Sequence, residues 1–320
     1  MKGKTQRETN PYKYTDSNKR YRTYDYFLRE KFSGKVAKIP LSAGFTCPNI
    51  DGKKGKGGCI YCASGSGKFN APAELSIKNQ YDLMLEAMRK KWNVTMTIPY
   101  FQAHTNTYAN SRALKKLFYE AISLEGAVGL SVATRADCLS NNAVSLLSEI
   151  ADKTFLTVEL GLQSANDKTA QLINRCHSYE EFLVGYNKLK SIKNISVCIH
   201  LILGLPGETR EDMINTVKEV ARLRPEQVKF HLMYVVKDTR LGEMYERGEY
   251  VPLTREEYVD VLAEALTYLP PDTVIGRVTG DAPAEDLLAP EWSRKKLTVI
   301  DELDKLLYET NRWQGMYFSL

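Results

Sequence analysis

Three of the chain's six cysteines, Cys47, Cys59 and Cys62, fall within sixteen residues in the spacing C-x11-C-x2-C. Between the first two lie Gly52, Gly55, Gly57 and Gly58, together with Lys53, Lys54 and Lys56. Glycines let a backbone enter φ > 0 and wrap tightly around a bound object. Nearby ammonium groups lower the cost of holding thiolates, the form that binds metal. Three soft sulfur ligands select zinc or an iron–sulfur cluster over magnesium or calcium. Zinc would need a fourth ligand, and the next His or Cys after Cys62 is His104. A four-iron cluster with three protein thiolates instead leaves one iron open to another ligand. The spacing favours the cluster, with zinc or a structural thiol group as the alternative. Cys138, Cys176 and Cys198 have no metal spacing with one another and read as buried or incidental thiols.

Other segments carry groups suited to a pocket. In Tyr100-Phe-Gln-Ala-His-Thr-Asn-Thr107, His104 either faces a site or caps a turn. Glu159-Leu-Gly-Leu-Gln-Ser164 precedes Asn174-Arg-Cys-His177, whose Arg175 could clamp a carboxylate with two parallel hydrogen bonds or sit on a helix surface. In His200-Leu-Ile-Leu-Gly-Leu-Pro-Gly-Glu208, Gly204 and Gly207 allow a tight turn close to a ligand, and Pro206 fixes its direction. Ala133-Thr-Arg-Ala-Asp137 is a fourth such segment. His231 lies in an apolar run whose parity does not decide which face it takes.

These groups need elements to hold them. Apolar runs of strand length occupy 35–42, 94–102, 128–134, 155–164, 196–206 and 227–236. They are rich in Val, Ile, Leu, Phe and Thr, and most lack strict alternation, as in strands covered on both faces. Helix-length stretches lie near 77–91, 110–124, 140–150, 178–191, 209–222 and 254–268, with Thr209, Thr254, Asn141 and Ser178 as N-cap candidates. Six β–α alternations predict an α/β fold, a (βα)6 partial TIM barrel with helices outside. A short strand at 273–278 and a helix near 293–310 follow. Chemistry in such a barrel belongs at the C-terminal ends of the strands, where the segments above lie. The expected organisation is a basic, aromatic-rich N-terminal segment (1–34), a core barrel (35–240) and a C-terminal extension (241–320).

Composition bounds the function. The chain has 320 residues, 43% hydrophobic and 26% charged, which is globular and excludes disorder. Its longest charge-free run, 92–111, is too polar to span a bilayer. The first ten residues contain no apolar secretory signal, so a cytoplasmic protein is expected. Net charge is +5, but residues 1–70 carry 15 Lys and Arg against 5 Asp and Glu, leaving −5 for the rest. In that basic stretch Tyr12, Tyr14, Tyr21, Tyr24, Tyr26, Phe27 and Phe32 alternate with Lys19, Arg20, Arg22 and Arg29. Cations that neutralise phosphates, mixed with rings that stack on bases, suit a polynucleotide. The alternative is an arm that packs its tyrosines on the barrel.

Taken together, the cysteine loop and the strand-end segments resemble the radical S-adenosylmethionine (SAM) superfamily over most of 35–240. The long spacing between Cys47 and Cys59 is similar to the branch containing the elongator catalytic subunit and its bacterial relatives. The segment at 159–164 resembles the G-x-Q-S of coproporphyrinogen dehydrogenase-like members, and Ala133–Asp137 the T-R-x-D of the elongator-like branch. The resemblance implies that Cys47, Cys59 and Cys62 bind a [4Fe-4S] cluster whose fourth iron is chelated by SAM. It implies that Tyr61 lies beside the adenine, and that Thr105, Gln163, Arg175 and His200 contact the same cofactor. It further implies reductive cleavage of SAM to methionine and a 5′-deoxyadenosyl radical that abstracts a substrate hydrogen.

The C-terminal segments Arg277-Val-Thr-Gly-Asp-Ala-Pro283 and Leu287-Leu-Ala-Pro-Glu-Trp-Ser293 resemble a branch that includes an enzyme of tRNA wobble uridine. That resemblance implies conversion of 5-carboxymethylaminomethyluridine, with or without 2-thiolation, to 5-aminomethyluridine. It also implies tRNA as partner, through Arg20, Arg22 and Arg29, and a one-electron donor such as flavodoxin or ferredoxin. A simpler reading makes Arg277 and Asp281 a salt-linked closure of the barrel edge. Carbon-radical addition to RNA, and a non-catalytic zinc-stabilised RNA-binding protein, are the competing functions.

Overall fold

The computed structural model describes residues 12, 14–63, 70–90, 92–280 and 282–319. Seven strands form one curled parallel sheet in the order β1 (Val36–Leu41), β2 (Met96–Phe101), β3 (Gly129–Thr134), β4 (Phe155–Gln163), β5 (Ile195–Leu203), β6 (Gln227–Leu232) and β8 (Val274–Arg277). The result is an α/β half-barrel, the partial TIM barrel expected. Two short strands, β7 (Val235–Val236) and β9 (Leu287–Ala289), pair antiparallel above it.

Successive side chains on a strand point to opposite faces, and here the two faces differ in chemistry. Ile39, Leu41, Leu130, Val158, Leu160, Val197, Ile199, Val228 and Phe230 form one core with Phe118, Leu147, Phe182, Val217 and Leu262 of the helices. Those helices are α2 (Ile77–Arg89), α3 (Ser111–Ile122), α4 (Asn141–Ala151), α6 (Tyr179–Lys190), α7 (Arg210–Leu223) and α9 (Arg255–Tyr268). The intervening strand positions line the lumen and are largely polar. Thr209, Thr254 and Ser178 cap α7, α9 and α6 as expected, each in a reciprocal capping box. At α4 the cap is Ser140 rather than Asn141, because the Ser140 hydroxyl accepts from the Ala143 N–H and Asn141 is already helical.

Three short helices carry no sequence signal read above: α1 (Tyr24–Phe32), α5 (Asp167–Leu172) and α8 (Arg240–Glu246). α1 belongs to the basic N-terminal segment and touches both edge strands, β1 and β8. The Ile275 N–H donates to the Arg22 carbonyl at 2.8 Å, so the segment also satisfies part of the β8 edge. Within the C-terminal stretch, β8 supplies the seventh strand and α10 (Lys296–Glu309) packs on α9.

Candidate active site

The cysteine loop follows β1 and is held by groups from distant elements. Asn49 is buried, and its Nδ2 donates to the Asn174 carbonyl at 2.5 Å and approaches Cys59 Sγ at 3.6 Å. Asn174 Nδ2 returns a bond to the Gly58 carbonyl at 2.7 Å, and Arg240 Nη2 reaches the same oxygen at 2.8 Å. The Ile60 N–H donates to the Ile173 carbonyl, and the Ile60 carbonyl accepts from Leu241. A Cβ on Gly55 would lie 2.0 Å from Asn49 Oδ1 and 2.6 Å from Cys176 Sγ, so a larger residue there would have to displace the Asn49 side chain that ties down the loop.

All eight residues expected around the cofactor line one cavity of about 300 Å³. Cys47, Cys59 and Cys62 form one wall; Tyr61, Thr105, Gln163, Arg175 and His200 form the others, together with His104. Burial raises the Cys59 and Cys62 thiols, Cys62 to about 12; Cys47 adds to the shift of both, and Cys59 to that of Cys62. A bound cationic centre relieves that cost. Among the described residues, one cluster of three or more Cys, His or carboxylate ligand atoms lies within a mutual 4.8 Å, and it excludes the cysteine triad. Sulfurs around one zinc ion sit about 4 Å apart, given Zn–S bonds near 2.3 Å. Three cysteines lining one cavity are a ligand set that a four-iron cluster could take with one iron left for another ligand.

Local strain gathers around this cavity. His104 and Gln163 hold φ of +61° and +67°, and Asn174 and Cys176 are also left-handed. Gln163 ends β4 just past a register shift against β5, which turns its side chain inward. Arg175 is 2% exposed. Its guanidinium donates to the carbonyls of Leu162, Ser164 (2.6 Å) and His177 (3.0 and 3.1 Å). The fork expected for a ligand carboxylate is thus occupied by main-chain oxygens, and it fixes the strand end that carries Gln163. Arg135 donates to both oxygens of Asp137 at 2.9 Å and to the Arg175 carbonyl. Burial opposes ionisation of Asp137, but Arg135 holds it down to about 2, and Lys54 of the cysteine loop docks on it at 2.9 Å.

A second cavity, about 640 Å³, adjoins the first and shares Tyr61, Cys62, Gln163 and His200 with it. At the junction sits Glu159, fully buried on β4. Lys38 from β1 and Lys229 from β6 each lie 2.5 Å from its carboxylate. The Tyr100 hydroxyl donates to it at 2.7 Å, and His200 Nε2 lies at 2.8 Å. Burial alone would raise Glu159, but Lys229, Lys38 and His200 hold it well below the carboxylate range. The two lysines also make the adjacent Glu159–Cys198–His200 group a poor cation site. His231 faces the lumen, its ring centroid 5.1 Å from that of His200, and burial keeps both imidazoles neutral. Arg277 lines both cavities; Asp281 lies outside the described residues.

Sequence reading missed Lys38, Tyr100, Glu159, Lys229 and Arg277 as one group. Their signal was present: charged or hydroxylated residues inside otherwise apolar strands. Arg20, Arg22 and Arg29 are not brought to this site. Arg20 contacts Tyr12, Asn311 and the Arg312 carbonyl; Arg22 pairs with Glu30 and Arg29 with Asp16 and Asp25.

Comparison with known proteins agrees with this geometry. YtqA of Bacillus subtilis (strain 168) is 40% identical over 313 residues, covering 98% of this chain and 97% of that protein. The tRNA uridine(34) acetyltransferase of Methanocaldococcus infernus is 31% identical over 160 residues, 49% of this chain and 29% of that protein. The structure of archaeal Methanocaldococcus infernus Elp3 with an N-terminus deletion shares the fold, with a TM-score of 0.65 at 20% identity over 87% of this chain and 64% of that one. Sequence models of the radical SAM superfamily and of the radical SAM C-terminal domain match residues 52–220 and 225–309. A three-cysteine loop at the mouth of a parallel half-barrel, with these matches over nearly its whole length, means that the chain belongs to the radical SAM superfamily.

Proposed function

We propose that this enzyme acts on the wobble uridine of tRNA, converting 5-carboxymethylaminomethyluridine, or its 2-thio form, to 5-aminomethyluridine. The observation that carries the reading is the 640 Å³ lumen opening directly beside Cys62 and Tyr61. Its volume lies in the range of small-molecule sites. The similarity to a protein named tRNA uridine(34) acetyltransferase supports the nucleoside and its position.

Family membership implies SAM and a [4Fe-4S] cluster; when bound, they supply a carbon-centred radical able to remove a hydrogen atom. Cys47, Cys59 and Cys62 would hold the cluster, and Tyr61, Thr105, Gln163, Arg175 and His200 would surround SAM. The protein's own contribution is orientation and a lumen that excludes bulk water. In the substrate, the methylene between nitrogen and carboxylate is the favoured hydrogen donor, because both neighbours stabilise the resulting radical. Loss of that hydrogen atom, then of one electron back to the oxidised cluster and one proton to solvent, would give the imine, whose hydrolysis would leave the amine and release glyoxylate. A flavodoxin or ferredoxin would serve as electron donor, in the cytoplasm with the tRNA. Among the described residues no helix is long and apolar enough to cross a membrane.

The test is nucleoside mass spectrometry of tRNA incubated anaerobically with reconstituted enzyme, SAM and reductant. Loss of carboxymethylaminomethyluridine with matching gain of aminomethyluridine and glyoxylate is expected, and Cys59→Ala should abolish it along with the iron content. Formation of 5′-deoxyadenosine with every nucleoside unchanged would remove the tRNA assignment.

A further inference from the structure

Lys38, Lys229 and Arg277 line the lumen around one fully buried carboxylate, Glu159. A carboxylate offers about four lone-pair sites. Those of Glu159 are already met by Lys38, Tyr100, His200 and Lys229. Arg277 faces the same space from β8 and is the register neighbour of Lys229. Among the described residues, no hydrogen bond or ion pair involves the Arg277 side chain. His231 Nε2, on the adjoining strand, is buried and has no hydrogen-bond partner among the described residues. Asp286, on the wall of the larger cavity, already has an interaction of its own. Arg277 is half-buried at the wall of this lumen, so an anion entering it would meet the guanidinium beside the buried His231 Nε2.

We infer that Arg277, flanked by His231 and Lys229, binds a carboxylate carried by the substrate. A planar guanidinium can take both oxygens at once, and a neutral imidazole beside it can donate or accept a third bond. Two carboxylates could reach the lumen, that of the substrate and that of the methionine part of SAM. Arg277 lines both cavities, the smaller with Cys47 and Cys59 and the larger without them, and the SAM and substrate arms of the experiment below separate the two sources. All three residues also lie within the stretch matched by the C-terminal domain, separate in sequence from the cysteine loop. The inference rests on the function proposed above for the identity of the substrate, but not for the presence of the site.

The experiment is anaerobic equilibrium dialysis with reconstituted full-length enzyme. Four probes are used: 5-carboxymethylaminomethyluridine, 5-aminomethyluridine, N-methylglycine and SAM. Wild type should bind the carboxylated nucleoside at least tenfold more tightly than the amine. Arg277→Gln should erase that preference while leaving SAM affinity unchanged, and Arg277→Lys, which keeps the charge but not the fork, should fall between. The lysine variant carries the test if the glutamine variant melts early by circular dichroism. Binding of N-methylglycine that depends on Arg277, with neither nucleoside bound, would keep the carboxylate site and remove the wobble-uridine reading. Equal affinity for both nucleosides in wild type, or an equal loss of SAM affinity in Arg277→Gln, would overturn the inference. So would failure of every carboxylate probe except SAM to bind.

Discussion

Glu208 shows what a strand-end turn does to one carboxyl group. It accepts a hydrogen bond from the Ser164 hydroxyl, and Ser164 in turn offers its carbonyl to Arg175. Burial lifts Glu208 from 4.5 to about 7, and the hydroxyl bonds only partly oppose this. The folded chain therefore keeps this proton up to about pH 7, whereas the unfolded chain releases it near 4.5. Between those values the native state binds more protons, so stability falls as pH rises, by on the order of 3 kcal/mol once pH exceeds about 7. Glu208→Gln should match wild type near pH 5 and be the more stable of the two at pH 8. Urea unfolding across that range checks it, and parallel curves for the two proteins would refute the assignment. The His200-to-Glu208 segment was legible as a turn close to a ligand. The protonation state was not, because it depends on the burial that folding imposes on the carboxyl.

At the level of elements, Gly185 in the middle of α6 sets two effects against each other. Alanine would favour the helix by about 1 kcal/mol through propensity alone. Its Cβ, however, would lie 2.2 Å from the Ala136 carbonyl oxygen and 2.8 Å from the Ala136 Cβ. Backbone cannot yield as a flexible side chain can, so packing wins. Gly185→Ala should cost about 2 kcal/mol or more and displace the turn bearing Arg135 and Asp137. A lower melting temperature with weaker iron retention is the expected result; a more stable variant would mean that propensity decides. The long helices and their caps were legible because apolar spacing and Ser/Thr caps are local. By contrast, α5 and α8 are too short to display a period, and they are anchored through Ile60 to the cysteine loop. Only contacts between distant segments specify them.

Across the whole molecule, the two ends of the described chain are fastened together. The Gln314 side chain donates to the carbonyls of Pro270 and Thr273 and accepts from the Arg22 N–H, while Arg20 stacks on Tyr12 and Tyr308. The described part of the basic, aromatic N-terminal segment thus packs on the barrel, as one of its two sequence readings expected. That does not remove the other reading, since Arg29 stays exposed. Replacing Arg20, Arg22 and Arg29 with glutamine should lower the melting temperature. It should also flatten the salt dependence of tRNA binding, by about 0.7–0.9 in log–log slope for each phosphate that an arginine no longer neutralises. A lowered melting temperature with unchanged tRNA affinity and salt slope would assign the three arginines to the scaffold alone.

The sequence by itself determined the three-cysteine loop, the alternation of strands and helices, and the tight turns at strand ends. Each rests on residues near one another in the chain, where spacing and backbone preference act directly. Only the tertiary structure decided that Lys38, Tyr100, Glu159, His200, Lys229 and Arg277 meet in one lumen. They stand on six strands, and strand parity alone leaves open which face is inside. The curl and register of the sheet choose that face, and burial then obliges each charge gathered there to find a partner.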